Sequence, residues 1–351
     1  MIVTTPDELT AAWLSEALGH RVVTVARTQV GTGQMGTCYR LRVTGEHDGG
    51  VPSSVLVKLP TPDPAARAMV AGAYATELRF YREIAPTVAV RVPVCHYAEM
   101  ADEGGAFVLV MEDLAPAVQG DQIAGCSAAQ ARDAVINLAG LHGPRWCDPT
   151  LLAIENLSLS GPDDAKMLAD LYGPATELFV EGLGELLDAD TVATLRGCVD
   201  VAERWALGRS ERFALVHGDY RLDNLMFPPD GADGAGGRNG VVAVDWQTLS
   251  LGLPTRDLAY FIGTGLSVED RREHEADLVA AYHDALLGYG VTDYDRDLCW
   301  EDYRFSMVQG PLVAVFGCAY GTRTDRGDAM FAAMVTRACA AIRDLGTLAL
   351  V

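Results

Sequence analysis

The sequence predicts an α+β fold in which a small, β-rich part comes first and a larger, mainly helical part follows from about residue 112. Before that point, short apolar runs alternate with glycine and proline turns, which is typical of strands. Over 127–210 and again over 257–351, apolar residues recur at helical spacing. The chain has 351 residues, 49% of them hydrophobic, so it is long enough for about two domains with a true core.

The first elements are read from their boundary residues. Residues 4–20 predict one helix, because Thr5 can cap it, Glu8 completes a capping box and Gly19 can end it. The next predicted elements, in chain order, are a strand, a glycine turn and a strand over 21–45, a strand over 54–60, a long helical stretch over 63–86 closed by a proline, and an apolar strand that runs into a polar turn over 107–116.

In the helical part, the segment LVHGDYRLDNLMF (215–227) has a different character. Its apolar flanks predict two short strands, and a buried strand is predicted over 241–247. The histidine, aspartates and asparagine lie between flanks that favour burial. Polar groups inside a core must be hydrogen-bonded or bind something, so this segment is the first candidate for a functional site.

Composition excludes some classes of function. The net charge of −21 and an isoelectric point near 4.6 argue against a nucleic-acid binder and against docking on an anionic membrane. No apolar run approaches the ~18 residues of a membrane span. The eight cysteines are scattered without a C-x-x-C pair, which predicts free thiols in a reducing compartment. We therefore expect a cytoplasmic protein; the sequence leaves its oligomeric state open.

A glycine-rich loop lies early in the chain, with Gly31, Gly33 and Gly36 in the pattern G-x-G-x-x-G. A dinucleotide-binding loop would need a helix after the third glycine. The residues that follow Gly36 are β-rich instead, which disfavours a dehydrogenase. The loop is expected to join two strands, either as a flap whose backbone N–H groups cover phosphates or as a plain β-turn.

Lys58 lies among apolar residues in a predicted strand. A buried lysine needs a counter-charge or a phosphate. Glu77, on the helical stretch that follows, is the expected partner and would hold the ammonium ready for nucleotide phosphates. Glu83 is a competing partner in more polar surroundings near the helix end. The alternative is an edge-strand lysine whose ammonium reaches water.

Four motifs follow one another in the second half of the chain: His217-Gly218-Asp219, Asn224, Val244-Asp245-Trp246-Gln247 and Arg256-Asp257-Leu258-Ala259. Together with the glycine loop and Lys58, they resemble the kinase-like small-molecule phosphotransferases, which include aminoglycoside phosphotransferases, choline kinases and ecdysteroid kinase-like proteins. The resemblance extends from the glycine loop to Asp257. It implies a bilobal protein-kinase-like fold, with an N-lobe over 1–111, a hinge over 112–116 and a C-lobe over 117–351.

The resemblance also implies a role for each motif residue. Asp219 would accept or orient the proton of a substrate hydroxyl, and Asn224 and Asp245 would bind Mg²⁺ through oxygen atoms. Adenine of ATP would lie against the backbone near Glu112 to Leu114.

Other residues of the motif region are expected to shape the catalytic loop. His217 would hold the loop in shape, and Asp257 would tie it down through backbone hydrogen bonds. Arg221 is open between a solvated charge and an approach to the transferred phosphate. Asp223 is expected to be a solvated loop charge.

The predicted function is ATP- and Mg²⁺-dependent phosphorylation of a hydroxyl group on a small molecule: an aminoglycoside, an amino alcohol, a sugar or a steroid-like alcohol. One alternative is a catalytically silent nucleotide-binding module, disfavoured because the catalytic set is intact. A second is a protein kinase, disfavoured because only eleven residues separate Asp245 from Asp257 and no A-P-E sequence follows. Candidate residues for the acceptor pocket are Trp300, Tyr303, Phe305 and Phe316, with Asp302 and Asp325 for a cationic group.

Overall fold

The computed structural model of the chain describes residues 2–31, 36–46, 50–101, 105–229 and 240–351. By their internal contacts, the residues form two compact units. The first comprises Met1–Thr87, Val92–Pro116 and Val244–Leu249, and the second comprises Val88–Arg91, Ala117–Ala243 and Ser250–Val351. The division is thus not a single break along the chain. The lobe and hinge boundaries inferred from the sequence stay a prediction.

The first unit is built on one antiparallel sheet of five strands in the order β1-β2-β3-β5-β4. Its elements are α1 (Ala11–Leu18), β1 (Val22–Val30), β2 (Thr37–Gly45), β3 (Ser54–Leu59), α2 (Pro64–Met69), α3 (Ala71–Arg79), β4 (Cys95–Met100) and β5 (Phe107–Glu112). Along β3 the buried side chains alternate with partly exposed ones, which is the period-2 pattern of a sheet with one face on the core.

Two predicted helices of the first unit are interrupted. Thr5 and Glu8 form their capping box around a 3₁₀ turn, and Thr10 starts α1 because its hydroxyl accepts the Trp13 N–H. The stretch predicted over 63–86 breaks at Val70, between α2 and α3, and then widens into a π-helical turn over Phe80–Ile84. That wider turn buries Phe80, Tyr81 and Ile84 together.

The second unit is mainly helical, as predicted. Its elements are β6 (Val118–Gln119), α4 (Ala128–His142), α5 (Pro162–Leu183), α6 (Ala189–Leu207), β7 (Ala214–Val216), β8 (Leu225–Phe227), β9 (Val242–Ala243), β10 (Ser250–Gly252), α7 (Thr255–Gly265), α8 (Val268–Gly288), α9 (Arg296–Phe305), α10 (Gln309–Tyr320) and α11 (Asp325–Leu345). Strand β7 pairs with β10, and β8 lies between β6 and β9. The two strands predicted around the H-G-D segment are confirmed as β7 and β8.

The strand predicted over 241–247 is shorter than expected. Strand β9 ends at Ala243, and Asp245 has φ +66°. A strand residue has negative φ, so the ladder cannot continue through Asp245. The chain therefore leaves the strand before the aspartate, which lies in an irregular segment.

The expected state of the cysteines is confirmed. All eight are free, four of them buried and four partly buried. Among the helices that the structure describes, none combines the length and the apolar character needed to cross a membrane.

Candidate active site

The segment between β7 and β8 is anchored by a buried aspartate on α7. The Asp257 carboxylate accepts the backbone N–H of His217 at 2.6 Å and that of Gly218 at 2.9 Å. Gly218 has φ +80°, a conformation that glycine adopts without strain. His142 on α4 approaches the same carboxylate, with Nε2 3.4 Å from Oδ2. The expectation that Asp257 ties down this loop is confirmed.

The Asp219 carboxylate lies at the centre of a set of side-chain donors. Tyr260 Oη donates to Oδ1 at 2.8 Å, and Asn224 Nδ2 donates to Oδ2 at 2.8 Å. Arg221 Nε lies 3.1 Å from both oxygens, and its hydrogen bond goes to Oδ2. The Asp219 side chain is 21% exposed. Its orientation is therefore fixed while the carboxylate stays within reach of a ligand.

Asn224 lies just before β8 and donates hydrogen bonds to Asp219. Its amide nitrogen donates to the backbone oxygen of Asp219 at 2.9 Å and to Asp219 Oδ2. Because the nitrogen is used internally, the side-chain oxygen is the atom that suits a hard cation. The role of Asn224 as a metal ligand stays a prediction. The hydrogen bonds made by its side-chain nitrogen are compatible with that role.

The expectation for Asp223 is wrong. Its Oδ1 accepts the Gln122 N–H at 3.0 Å, and both its oxygens pair with Arg326 at 3.1 and 3.2 Å. Only 12% of the Asp223 side chain is exposed. The residue ties together the loop between β7 and β8, the segment after β6 and the start of α11. Arg221 contacts Asp219 and Met330 Sδ, and its approach to a phosphate stays a prediction.

In the first unit, the expected contact between Lys58 and Glu77 is present. Lys58 Nζ lies 2.7 Å from Glu77 Oε2 and 3.4 Å from Asp245 Oδ1. The Lys58 and Glu77 side chains are 12% and 1% exposed, so Lys58 is not a lysine that reaches water. Glu83 is 66% exposed and lies 4.0 Å from Arg79, which excludes it as the partner.

The charge on Lys58 is stabilised by its two carboxylate neighbours. Burial disfavours the ammonium, but Glu77 and Asp245 outweigh that cost and hold the pKa of Lys58 above its usual value. Cys38 lies opposite Lys58 in the β2–β3 register. Burial raises the pKa of Cys38 to about 11, so it stays a thiol at neutral pH. A permanent cation thus lies beside Asp245.

Trp246 and Gln247, which follow Asp245, contact Phe80 and Glu77 and so hold Asp245 near Lys58. Trp246 stacks on Phe80, with ring centroids 3.6 Å apart and planes within 6°. Gln247 Nε2 donates to Glu77 Oε2 at 3.3 Å. A left-handed conformation at a non-glycine residue is unfavourable and persists only where its surroundings fix it, and these two contacts do so. The Asp245 side chain is 40% exposed and is available to a ligand.

The glycine loop joins β1 and β2, which are antiparallel, so the expected strand–loop–strand arrangement is confirmed. Gly31 has φ +73°, and a Cβ on Gly36 would lie 2.8 Å from the Leu59 backbone oxygen. Both positions therefore favour glycine. Gly33 lies outside the described residues. Contact of this loop with phosphates stays a prediction.

Near the predicted hinge, Glu112 ends β5 and exchanges hydrogen bonds with Val94: the Glu112 N–H donates to the Val94 oxygen at 2.8 Å, and its carboxylate accepts the Val94 N–H at 3.0 Å. The adenine contacts predicted at Glu112 and Leu114 are untested. Sequence reasoning missed Asp113. Its carboxylate binds Arg40 at 2.8 and 3.0 Å and accepts from a serine hydroxyl on β3, so it fixes this segment to the sheet.

The candidate residues for the acceptor pocket differ in burial and in their partners. Asp302 is fully buried and pairs with Arg209 and Arg212, so the expectation that it meets a cationic group is wrong. Tyr303 and Phe305 belong to the core at 0% and 3% exposure. Trp300 and Phe316 are partly buried, and Asp325 is exposed at the start of α11.

The Lys58–Glu77 pair yields a stability prediction. Removing one partner of a buried ion pair costs about 3–5 kcal/mol, and Lys58 would keep Asp245, so we expect Glu77→Gln to lower the free energy of unfolding by about 3 kcal/mol. The matched control is Glu83→Gln, on the same helical stretch, with a change within about 1 kcal/mol. Urea unfolding of both variants measures the difference. Equal effects would show that the pair does not stabilise the fold.

Solved structures place this fold in a known class. The chain is similar to choline kinase from Cryptosporidium parvum Iowa II, with a TM-score of 0.61 and 10% identity over 93% of this chain and 91% of that one. It is similar to a microcompartment-associated aminopropanol kinase (TM-score 0.54, 16% identity, 97% and 99% covered). It is also similar to spectinomycin phosphotransferase in complex with ADP and spectinomycin, with a TM-score of 0.52 and 14% identity over 99% of this chain and 100% of that one. The fold is that of the kinase-like phosphotransferases.

Sequence comparison gives a partial match to one family and a short match to one curated protein. Residues 174–289, about a third of the chain, match the model of the ecdysteroid kinase-like family. The matched range includes Asp219, Asn224, Asp245, Asp257 and Tyr260. The resemblance to kinase-like phosphotransferases is therefore confirmed. Acyl-CoA dehydrogenase family member 10 of Mus musculus is 49% identical over 55 residues, which is 15% of this chain and only 4% of the length of that relative.

Proposed function

We propose that the chain is an ATP- and Mg²⁺-dependent phosphotransferase that phosphorylates a hydroxyl group of a small molecule. The observation that carries the proposal is the Asp219 carboxylate, which is partly exposed yet held by Tyr260 and Asn224. A positioned carboxylate can accept the proton of an acceptor hydroxyl. The hydroxyl oxygen then bonds to the γ-phosphorus, the bond from that phosphorus to the bridging oxygen breaks, and ADP leaves.

The residues of the first unit suit the nucleotide. Lys58, held by Glu77 and kept charged, supplies a fixed cation for phosphate oxygens. The glycine loop would cover the phosphates with its backbone N–H groups, and the Glu112 to Leu114 backbone would meet the adenine. We propose that these residues and Asp219 serve one reaction.

The metal role falls to two oxygen donors. Asn224 offers its side-chain oxygen and Asp245 offers a carboxylate that is 40% exposed. Mg²⁺ prefers hard oxygen ligands from one or two carboxylates together with phosphates, which this set provides. When bound, the ion neutralises charge that develops on the phosphates. Asp245 also keeps Lys58 close, so the two cations would share one carboxylate neighbour.

The acceptor is proposed to be a hydroxylated small molecule because the similar solved structures include a choline kinase, an aminopropanol kinase and a spectinomycin phosphotransferase. Aminoglycosides, amino alcohols, sugars and steroid-like alcohols are the classes to test. Since Asp302 is neutralised by two arginines, a positively charged acceptor has no partner there. We place the activity in the cytoplasm, which suits eight free thiols.

The segment between Asp245 and Asp257 predicts that peptides are poor acceptors. Within its eleven residues, Trp246 and Gln247 are buried and β10 pairs with β7, so little chain is available as a platform for an extended peptide. We expect Mg²⁺-dependent ADP release with at least one member of a panel of hydroxylated metabolites. Transfer of radiolabelled γ-phosphate to a peptide library faster than to any panel member would contradict this.

A further inference from the structure

Tyr260 is the donor to Asp219 that comes from outside the catalytic loop. It lies on α7, its side chain is fully buried, and its Oη donates to Asp219 Oδ1 at 2.8 Å. The residue had no predicted role, and the motif H-G-D-x-x-x-x-N does not include it. Its hydroxyl is therefore a buried polar group aimed at the carboxylate proposed to act on the acceptor.

Tyr260 follows Asp257 by three residues on the same helix. Residues at that spacing share one face of a helix. Asp257 holds the backbone N–H groups of His217 and Gly218, and Tyr260 holds the side chain of Asp219. One turn of α7 thus fixes both the path of the catalytic loop and the rotation of its carboxylate.

The hydrogen bonds around Asp219 distinguish its two oxygens. Each carboxylate oxygen has two lone pairs. Oδ2 receives hydrogen bonds from Arg221 and Asn224, whereas Oδ1 receives one from Tyr260. Arg221 Nε also lies 3.1 Å from Oδ1, but its hydrogen bond goes to Oδ2. Among the residues that the structure describes, Oδ1 is the oxygen with a remaining acceptor site.

The protonation of Tyr260 is consistent with a permanent donor. Burial, followed by the charge of Asp219, raises the pKa of Tyr260 well above its usual value. The phenol therefore stays protonated throughout the neutral range, and its proton stays directed at Oδ1. A neutral donor orients the carboxylate without adding a second positive charge beside Arg221.

We propose that Tyr260 is a positioning residue that selects Oδ1 of Asp219 as the oxygen that meets the acceptor hydroxyl. By occupying one lone pair of Oδ1, Tyr260 aims the other at the acceptor. The inference rests on the proposed role of Asp219 in phosphoryl transfer. It adds to that role a residue that acts through its hydrogen bond to Asp219.

Tyr260→Phe tests the proposal because it removes one hydroxyl and keeps the ring. We expect kcat to fall roughly 10- to 100-fold, the size of one hydrogen bond to a charged group, with little change in KM for the acceptor or in Mg-ATP affinity. A second rate to measure is slow Mg²⁺-dependent ATP hydrolysis, in which water is the acceptor. We expect Tyr260→Phe to lower this rate by the same factor.

Tyr303→Phe is the matched control. Tyr303 is also fully buried and donates to a carboxylate, Glu275 Oε2, at 2.9 Å, but that carboxylate has no proposed role in the reaction. Both variants lose one buried tyrosine–carboxylate hydrogen bond and should lose similar unfolding stability. Only Tyr260→Phe should lose kcat. Wild-type kcat in Tyr260→Phe, or an equal loss in Tyr303→Phe, would overturn the inference.

A spectroscopic measurement separates this inference from the proposed function. With ¹³C-labelled aspartate, the Asp219 carboxyl resonance is identified by its absence in Asp219→Asn. It should move in Tyr260→Phe and stay in place in Tyr303→Phe. An unmoved resonance in Tyr260→Phe would overturn the inference whatever the activity. Absence of Mg²⁺-dependent transfer in the wild type, with the resonance shifted as expected, would instead contradict the proposed function and leave Tyr260 only as the residue that orients the Asp219 carboxylate.

Discussion

Asp219→Asn is expected to lower phosphoryl transfer roughly 10²–10⁴-fold, the usual cost of losing a general base, while Mg-ATP affinity stays nearly unchanged. Asparagine keeps the shape of the side chain but cannot accept the acceptor proton. The phosphates are assigned to Lys58 and the metal to Asn224 and Asp245. A selective loss of rate is therefore the outcome that the proposed division of roles requires.

Single-turnover transfer and calorimetric titration with Mg-ATP measure the two effects separately. Asp170→Asn is a suitable control, since that aspartate is exposed and pairs with Lys166 across one helical turn. The variant Asp219→Asn leaves Arg221 and Asn224 facing an amide, so its unfolding midpoint should be recorded beside the wild type. Near-wild-type turnover in a folded Asp219→Asn protein would remove Asp219 from the reaction.

Much of this site could be predicted from the sequence, because its motifs determine the backbone conformation close to them. A glycine loop followed by β-rich residues predicts two strands, and the structure has β1 and β2 there. A lysine in an apolar strand requires an acid nearby, and Glu77 on the next helical stretch supplies it at 2.7 Å. The tie from Asp257 to the H-G-D backbone, 40 positions away, was expected from the resemblance to the phosphotransferases and not from a local pattern.

What sequence could not show are contacts between distant segments. Tyr260 meets Asp219 across 41 positions, and Asp302 meets Arg209 and Arg212 across 93 and 90 positions. No local pattern assigns partners over such distances. Asp223 was misjudged for the same reason, since Arg326 lies 103 positions further along the chain. For Tyr260 the one available signal was its three-residue spacing from Asp257.

The first helix was mispredicted because the sequence offers two capping residues and the prediction used only the first. The periodic stretch from Thr5 to Gly19 contains a second capping residue, Thr10, whose hydroxyl takes the Trp13 N–H. Serine and threonine hydroxyls offer the backbone an alternative to continuing a helix, so the first turn and α1 separate there.

Asp245→Asn is expected to weaken ATP binding in the presence of Mg²⁺ by roughly 10- to 100-fold, in the range found for changes around metal sites. Asparagine is preferred to alanine for this test, because Asp245 has φ +66° and asparagine tolerates the left-handed region. The fold should survive, since Lys58 keeps Glu77 at 2.7 Å.

Asp245→Asn also distinguishes two possible roles of Asp245, as a ligand of Mg²⁺ or as a neighbour that acts on the nucleotide through Lys58. If Asp245 binds Mg²⁺, calorimetry should show the loss of ATP affinity with Mg²⁺ present and little change with EDTA. Glu83→Gln, an exposed carboxylate in the same unit, should bind as the wild type does in both conditions. An equal loss with and without the metal would mean that Asp245 acts on the nucleotide through Lys58, and an unchanged Mg²⁺ dependence would exclude Asp245 from the metal site.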